Sequence, residues 1–153
     1  MVEPCGIDYC FSLASGMFQA GDIPIAGDWE NDGIVTIGLF RRGLLASSDV
    51  FYLSNVNPSS LPVNGTIFSW DYTIPMAAGN LGDLPIVGDW TGTNQTSLST
   101  GWPRIGIFRT TSALWARDNG NLNIPNCSQD QCSFFGAVGD KPIVFGKSLV
   151  KAN

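Results

Sequence analysis

The sequence contains no histidine among its 153 residues. This absence excludes the Ser-His-Asp and Cys-His arrangements of common hydrolases, zinc sites with histidine ligands and a histidine-based pH switch. Carboxylate chemistry remains, and a carboxylate glycosidase is the enzymatic alternative. The candidate aspartates, however, recur at equivalent positions of an internal repeat, whereas a catalytic residue is needed only once. We therefore predict that the protein is not an enzyme.

Charge is also scarce, because Asp, Glu, Lys and Arg make up only 14% of the chain and the net charge is −5. The eight Lys and Arg residues form no stripe, which argues against a nucleic-acid-binding surface. No apolar run approaches the roughly 20 residues of a membrane-spanning helix. With 44% hydrophobic residues, the chain can still bury a core. We expect a folded domain that neither binds nucleic acid nor spans a membrane.

What the sequence does contain is an internal repeat. The segment Gly21–Trp29 recurs 61 residues later as Gly82–Trp90 with seven of nine positions identical, and Gly139–Val144 begins a third copy. An Ile-Gly-x-Phe-Arg element follows each full copy, at Ile37–Arg41 and at Ile105–Arg109. Such a period is the signature of a repeat architecture. We predict a single repeat domain with repeat 1 at about 10–70, repeat 2 at about 71–137 and a partial repeat 3 at about 138–153.

Each repeat is predicted to contain four short strands, because β-branched and aromatic residues alternate with Gly, Asn, Asp and Pro turns. The strands of the first repeat are Ile23–Gly27, Ile34–Phe40, Val50–Ser54 and Thr66–Trp70. Those of the second are Leu84–Gly88, Arg104–Arg109, Ala113–Arg117 and Ser133–Ala137. Two flanking strands are predicted at Cys10–Ser15 and Pro142–Val150. No helical period of useful length is present, so the predicted class is all-β.

These elements resemble the FG-GAP/VCBS-type repeats of extracellular proteins. The resemblance rests on Gly-Asp-x-Pro-Ile-x-Gly-Asp-Trp, on Ile-Gly-x-Phe-Arg, on the aromatic pairs such as Phe51-Tyr52 and on the turn Asp118–Asn121, and it covers roughly residues 10 to 146. Because repeats of that family usually form β-propeller blades, the resemblance implies two blades of four antiparallel strands plus terminal strands. A compact β-sandwich or barrel is the alternative, since ten strands can also form one closed core.

The four cysteines form two pairs with equal spacing, Cys5 with Cys10 and Cys127 with Cys132. Corresponding cysteines are two repeat lengths apart, so the two pairs occupy equivalent positions. Two separated loops favour two local disulfides in an oxidising compartment over free thiols or a four-cysteine metal site. We therefore expect an extracellular or cell-surface location.

An acidic loop follows the first Gly-Asp-Trp. Asp28, Glu30 and Asp32 alternate before a glycine, and they could direct carboxylates at one calcium ion. The family resemblance implies the same role, because its acidic loop often holds calcium. In the second copy, threonines replace the later carboxylates, so calcium is expected only at the first loop. The alternative is a turn in which Asp side chains bond the backbone.

Trp29 and Trp90 hold the same repeat position. Aromatic faces can stack on sugar rings, so a carbohydrate-binding, lectin-like propeller is an alternative function with glycans as partners. The competing interpretation is that both rings pack against a neighbouring sheet.

The repeats also lead to an expectation of self-assembly. Propellers close with four or more blades, whereas two blades leave edges and an apolar flank that favour pairing with another copy as a ring or a filament. The expected contact is the terminal strand, through Pro142, Ile143, Phe145 and Leu149, which pairs with another copy or, failing that, with the N-terminal segment of its own chain. The predicted function is a non-catalytic extracellular structural or adhesion module.

Overall fold

Ten β-strands make up the regular structure of the protein in the computed structural model, which describes residues 11–29, 32, 34–43, 49–57, 65–76, 79–88, 105–118 and 126–143. The strands are β1 (Phe11–Leu13), β2 (Ile23–Gly27), β3 (Thr36–Arg41), β4 (Val50–Leu53), β5 (Gly65–Ile67), β6 (Tyr72–Pro75), β7 (Asp83–Val87), β8 (Ile105–Arg109), β9 (Leu114–Arg117) and β10 (Gln131–Phe134). The predicted all-β class is confirmed. Within these ranges there is no helix able to span a membrane.

The first repeat folds into an antiparallel sheet with the strand order β2-β3-β4-β6. Phe40 lies opposite Phe51, and Phe51 lies opposite Ile74, so these three side chains share one face. Their exposed fractions are 0%, 0% and 3%, whereas Thr73 on the other face is exposed. The first sheet therefore has one face that is fully covered.

The second repeat builds a second sheet of the same form, β7-β8-β9-β10. Phe108 pairs with Trp115, as Phe40 pairs with Phe51 in the first sheet. Its other face carries Ile107 and Ala116, which also lie opposite each other. Equivalent residues of the two repeats thus occupy equivalent positions in two sheets.

The core lies between the two sheets. Phe40, Phe51, Leu53 and Ile74 of the first sheet form one buried cluster with Ile105, Ile107 and Ala116 of the second. In the second sheet these residues are on the face opposite to Phe108 and Trp115, because side chains alternate along a strand. One face of the first sheet therefore packs on the opposite face of the second.

The glycine of each Ile-Gly-x-Phe-Arg element is required by close approach within its sheet. A Cβ atom on Gly38 would lie 2.8 Å from both Leu53 Cδ2 and the Tyr52 carbonyl oxygen. A Cβ atom on Gly106 would lie 2.5 Å from the Ala116 carbonyl oxygen. Contacts this short are repulsive, so any larger residue would push neighbouring strands apart.

The fourth strand of the first sheet differs from the prediction. The sequence predicted it at Thr66–Trp70, but β6 at Tyr72–Pro75 fills that position, so the sheet extends past the repeat boundary predicted near residue 70. Residues 65–67 instead pair in parallel with β1. The predicted segment has β-forming residues and buries Ile67, but Ile67 pairs with β1, whereas Ile74 of β6 lies opposite Phe51 in the first sheet.

The packing between sheets predicts the effect of truncating one core ring. Phe51→Ala should lower the free energy of unfolding by about 3 to 5 kcal/mol, because it removes a buried ring and leaves a cavity. Phe68→Ala is the control, and at an exposed position it should change stability by less than about 0.5 kcal/mol. Urea denaturation measures both. Equal effects of the two variants would contradict this packing.

Candidate functional site

The Gly-Asp pair at the start of the repeated Gly-Asp-x-Pro-Ile segment forms the same hydrogen-bonded turn in all three copies. The aspartate Oδ2 accepts a hydrogen bond from the amide three residues earlier, and its own amide donates to the carbonyl of that residue. The first set of bonds joins Gln19 to Asp22 at 2.8 Å, Asn80 to Asp83 at 2.9 Å and Ala137 to Asp140 at 2.8 Å. Gly21 and Gly139 adopt φ of 94° and 91°, a left-handed conformation that favours glycine. Repetition of Gly-Asp thus has a local structural cause.

In the first two copies the same aspartate also binds the arginine of Ile-Gly-x-Phe-Arg. Arg41 donates from Nε and Nη2 to the two oxygens of Asp22 at 2.9 and 2.7 Å. Arg109 does the same with Asp83 at 2.8 and 2.9 Å. The aspartate side chains are only 2% and 0% exposed. Two-pronged pairs of this kind are the strong form of a charge-assisted hydrogen bond.

The arginine contact shifts the ionisation of the first pair. The hydrogen bonds from Arg41 lower the pKa of Asp22, and Asp22 in turn raises the pKa of Arg41. The Arg41 guanidinium also lies 4.8 Å from the centroid of the Tyr52 ring, a distance at which a cation is attracted to an aromatic face. The turn, the carboxylate and the ring together form a guanidinium-binding arrangement.

The third copy has the turn without the arginine. Asp140 accepts from Ala137, but no described arginine forms an ion pair with it. Unlike Asp22 and Asp83, Asp140 is exposed. Asp140 therefore has the turn conformation in which Asp22 and Asp83 bind arginine, but none of the described arginines is bound to it.

A second group of charged residues lies where the sheets meet. Arg42 of the first sheet donates from Nη2 to the Asp83 carbonyl oxygen at 2.9 Å. Asp49 is 2% exposed, and burial raises its pKa even though it accepts a bond from the Gly43 amide. Sequence reasoning missed Asp49 and Arg42, because the second repeat has Ala113 and a threonine at the equivalent positions and the repeat pattern does not mark them.

The acidic loop forms backbone-bonded turns at the residues the structure describes. Asp28 Oδ1 accepts from the Asp32 amide at 3.0 Å, and Asp32 Oδ1 accepts from the Ile34 amide at 2.8 Å. Glu30 lies outside the described residues, and among those described no three acidic or cysteine side chains form a metal-binding group. These bonds support the turn interpretation, and calcium binding stays a prediction.

One of the two predicted disulfides is present. Cys127 and Cys132 are bonded, with their Cα atoms 5.4 Å apart, and the bond ties the turn before β10 to that strand. The side chain of Asp130 stabilises the same turn by accepting from the Asn126 amide at 2.7 Å. Cys5 and Cys10 lie outside the described residues, so that disulfide stays a prediction.

The tryptophan proposed for sugar stacking in the first repeat is buried. Trp29 is 1% exposed, belongs to the core between the sheets and donates from Nε1 to the Ile37 carbonyl at 3.3 Å. Its ring has no open face for a sugar, which agrees with the packing interpretation. Trp90 lies outside the described residues.

An open cleft lies instead beside the third Gly-Asp turn. It has a volume of about 450 Å³ and is lined by Phe108, Trp115, Phe135, Gly136, Asp140, Lys141 and Ile143. The Trp115 Nε1 donates to the Phe135 carbonyl at 2.9 Å, and the Gly139 amide donates to the Thr110 carbonyl at 3.0 Å. The first bond lies within the second repeat, and the second attaches the third copy to the second sheet.

Of the predicted assembly residues, Ile143 lies in this cleft and is 72% exposed, and Pro142 lies next to it. Phe145 and Leu149 lie outside the described residues.

Comparisons with family models, curated proteins and solved structures found no match to this chain. The resemblance to FG-GAP/VCBS-type repeats therefore stays a prediction.

The Asp22–Arg41 pair predicts a stability difference that depends on pH. The pKa of Asp22 is lowered below 3.8 in the folded protein, so the ionised carboxylate stabilises the fold above that pH, and this stability is lost as pH falls through the lower, folded value. Asp22→Asn should reduce the free energy of unfolding by about 2 kcal/mol at pH 7. The deficit should shrink as the pH falls below 3.8.

The control is Asp140→Asn, which keeps an acceptor for Ala137 in the same kind of turn but has no arginine to lose. Its effect on stability should stay below about 0.5 kcal/mol at neutral pH. Urea denaturation between pH 2 and pH 7 measures both variants. A deficit for Asp22→Asn that does not change across this range would contradict the assignment.

The acidic loop gives a separate prediction with calcium. Calcium added to chelator-treated protein should raise the melting temperature modestly, because two or three carboxylates need water and carbonyl oxygens to complete the shell. Asp32→Asn should remove this increase. A melting temperature that calcium does not change would leave the loop as a turn held by its own hydrogen bonds.

Proposed function

We propose that this protein is a non-catalytic extracellular structural or adhesion module that self-assembles through its β-repeats. The observation that carries the proposal is an asymmetry between two equivalent sheet faces. The face of the first sheet that contains Phe40 and Phe51 is buried against the second sheet. The equivalent face of the second sheet, which contains Phe108 and Trp115, borders an open cleft.

Met76 and Phe135 illustrate this asymmetry. Each follows the fourth strand of its sheet and donates its amide to the residue before the third strand, Met76 to Asp49 at 2.9 Å and Phe135 to Ala113 at 3.1 Å. The two residues are therefore structurally equivalent. Met76 is 4% exposed, whereas Phe135 is 78% exposed. The position that the second sheet covers in the first repeat is thus open in the second.

Two exposed apolar side chains line the cleft at this position. They are Phe135 and Ile143, 78% and 72% exposed, and we call them the open patch. Contiguous exposed apolar surface of this kind typically marks an interaction site. A further copy of the chain would bury it much as the second sheet buries the face of the first.

The form of the assembly follows from how equivalent sheets are related. A contact between different surfaces of identical chains is head-to-tail, and it gives a ring if the rotation closes and a filament if it does not. A closed ring of such sheets is the propeller that the repeat resemblance implies. The Cys127–Cys132 disulfide supports an extracellular location, because such bonds persist in oxidising compartments.

Carbohydrate binding is the second candidate, favoured by the cleft rather than by Trp29 or Trp90. Trp115 and Phe135 provide aromatic surface beside the carboxylate of Asp140. Aromatic rings next to polar groups are the usual components of a sugar site. A glycan array with the unmodified chain tests this function, and binding that Trp115→Ala abolishes would favour it over assembly.

Light scattering over a range of concentrations tests self-assembly. The molar mass of the unmodified chain should rise above the 16.4 kDa of a single copy, and Phe135→Asp should return it to that value because a charge in the contact must be desolvated. Phe68→Asp is the matched control, since Phe68 and Phe135 are both 78% exposed.

Removal of residues 141–153 should also reduce the mass, because it deletes Ile143 from the open patch. A chain that stays at the single-copy mass at every concentration would contradict the proposal. An unchanged mass in Phe135→Asp would show that the contact lies elsewhere.

A further inference from the structure

We propose that the third Gly-Asp turn is a receptor for an arginine-bearing β-strand of a partner protein. The partner strand would lie antiparallel to residues 140–143, with its arginine bound to Asp140 and its apolar side chains in the cleft beside Trp115. This inference goes beyond self-assembly, because it assigns the chemistry of a ligand to the cleft, which shares Phe135 and Ile143 with the open patch.

The first argument is the repeated chemistry of the turn. In two copies the aspartate is held by a backbone bond and accepts hydrogen bonds from Nε and Nη2, which form one edge of a guanidinium group, at distances between 2.7 and 2.9 Å. In the third copy the backbone bond to Asp140 is kept at 2.8 Å. The carboxylate is therefore oriented in advance, which lowers the entropic cost of binding an arginine.

The second argument is the position from which that arginine comes. Asp83 lies directly opposite Arg109 in the antiparallel pair β7–β8. Among the described residues, no strand is paired with residues 140–143. Residues 140–143 belong to no described strand, and we expect an extended peptide to pair with their backbone as a partner strand does, a recognised mode of peptide binding.

The third argument is continuity with the packing between the two sheets. Arg109 and Ile107 project from the same face of β8, and Ile107 packs in the cluster that contains Phe40 and Phe51. In a strand paired with residues 140–143, the residue two places before the arginine would project from the same face as that arginine. That side chain would meet Phe108 and Trp115, which are the counterparts of Phe40 and Phe51 and line the cleft.

The ligand is therefore an extended segment in which an apolar residue stands two places before an arginine, as in Ile-Gly-x-Phe-Arg. The two Ile-Gly-x-Phe-Arg segments of an intact second copy are not free to bind, because Arg41 and Arg109 are both held by aspartates of their own chain. The occupant is a strand from a different polypeptide, and a second copy is an outcome that the test distinguishes.

The probe is a capped synthetic peptide with the sequence of residues 36–43, Thr-Ile-Gly-Leu-Phe-Arg-Arg-Gly, titrated into the full chain and followed by amide and indole NMR. The peptide should shift the Trp115 indole signal and the amide signals of Gly139 and Lys141. Asp140→Asn should weaken the peptide affinity at least roughly tenfold, the factor expected for loss of a charge-assisted hydrogen bond.

Asp71→Asn is the matched control on the protein, because it changes the same charge in a turn of the first sheet, where Asp71 accepts from the Asn55 amide, and it should leave the affinity unchanged. Two peptide variants test the two contacts. Arg41→Gln in the peptide removes the guanidinium. Leu39→Asp places a charge at the position whose apolar side chain would lie in the cleft. Each should weaken binding by a similar factor.

No shift on adding peptide, or equal affinity of the unmodified and Asp140→Asn proteins, would overturn the proposal. Self-association of the chain that Asp140→Asn abolishes would show that a second copy is the occupant, and it would overturn the assignment to a partner. Self-assembly is judged separately by the effect of Phe135→Asp on molar mass, so either proposal can fail while the other stands.

Discussion

The contact between the two sheets is the constraint on which the rest of the structure depends. The first sheet is too small to bury its aromatic face alone, so Phe40 and Phe51 are covered by Ile107 and Ala116 of the second sheet. Burial of apolar area contributes roughly 25 cal/mol per Å², and this cluster is the largest source of it in the described residues. Each sheet is stable because its neighbour supplies the opposite face. The same requirement makes the open cleft beside Trp115 and Phe135 on the second sheet significant.

The aspartate–arginine pairs have a different role, because they fix the register between the first two strands of each sheet. A strand that slips by one residue exchanges its inward and outward faces. Asp83 and Arg109 lie opposite each other and are joined by two hydrogen bonds, so a slip would leave a carboxylate that is 0% exposed without its partner. An unpaired buried charge costs far more than the pair gains. These polar contacts therefore specify the register that the apolar contacts stabilise.

Sequence patterns predicted most of the strands because the same pattern occurs in both repeats. β8 at Ile105–Arg109 lies within the strand predicted at Arg104–Arg109, and the glycine in it is explained by the short distance to the Ala116 carbonyl. The fourth strand of the first sheet was missed. Residues 66–70 and 72–75 have similar β-forming composition, and only contacts with β1 and β4, which are distant in sequence, assign one to each sheet.

The sequence by itself determined the repeat, the all-β class and the pairing of Cys127 with Cys132, because these depend on local composition and spacing. It could not determine which tryptophan is buried or which carboxylate is open. Trp29 and Trp115 are both near strands, and Asp83 and Asp140 share one motif. Tertiary structure decided that Trp29 is enclosed between the sheets and Asp83 by its pair with Arg109, while Trp115 and Asp140 border a cleft, since among the described residues no further sheet or arginine covers them.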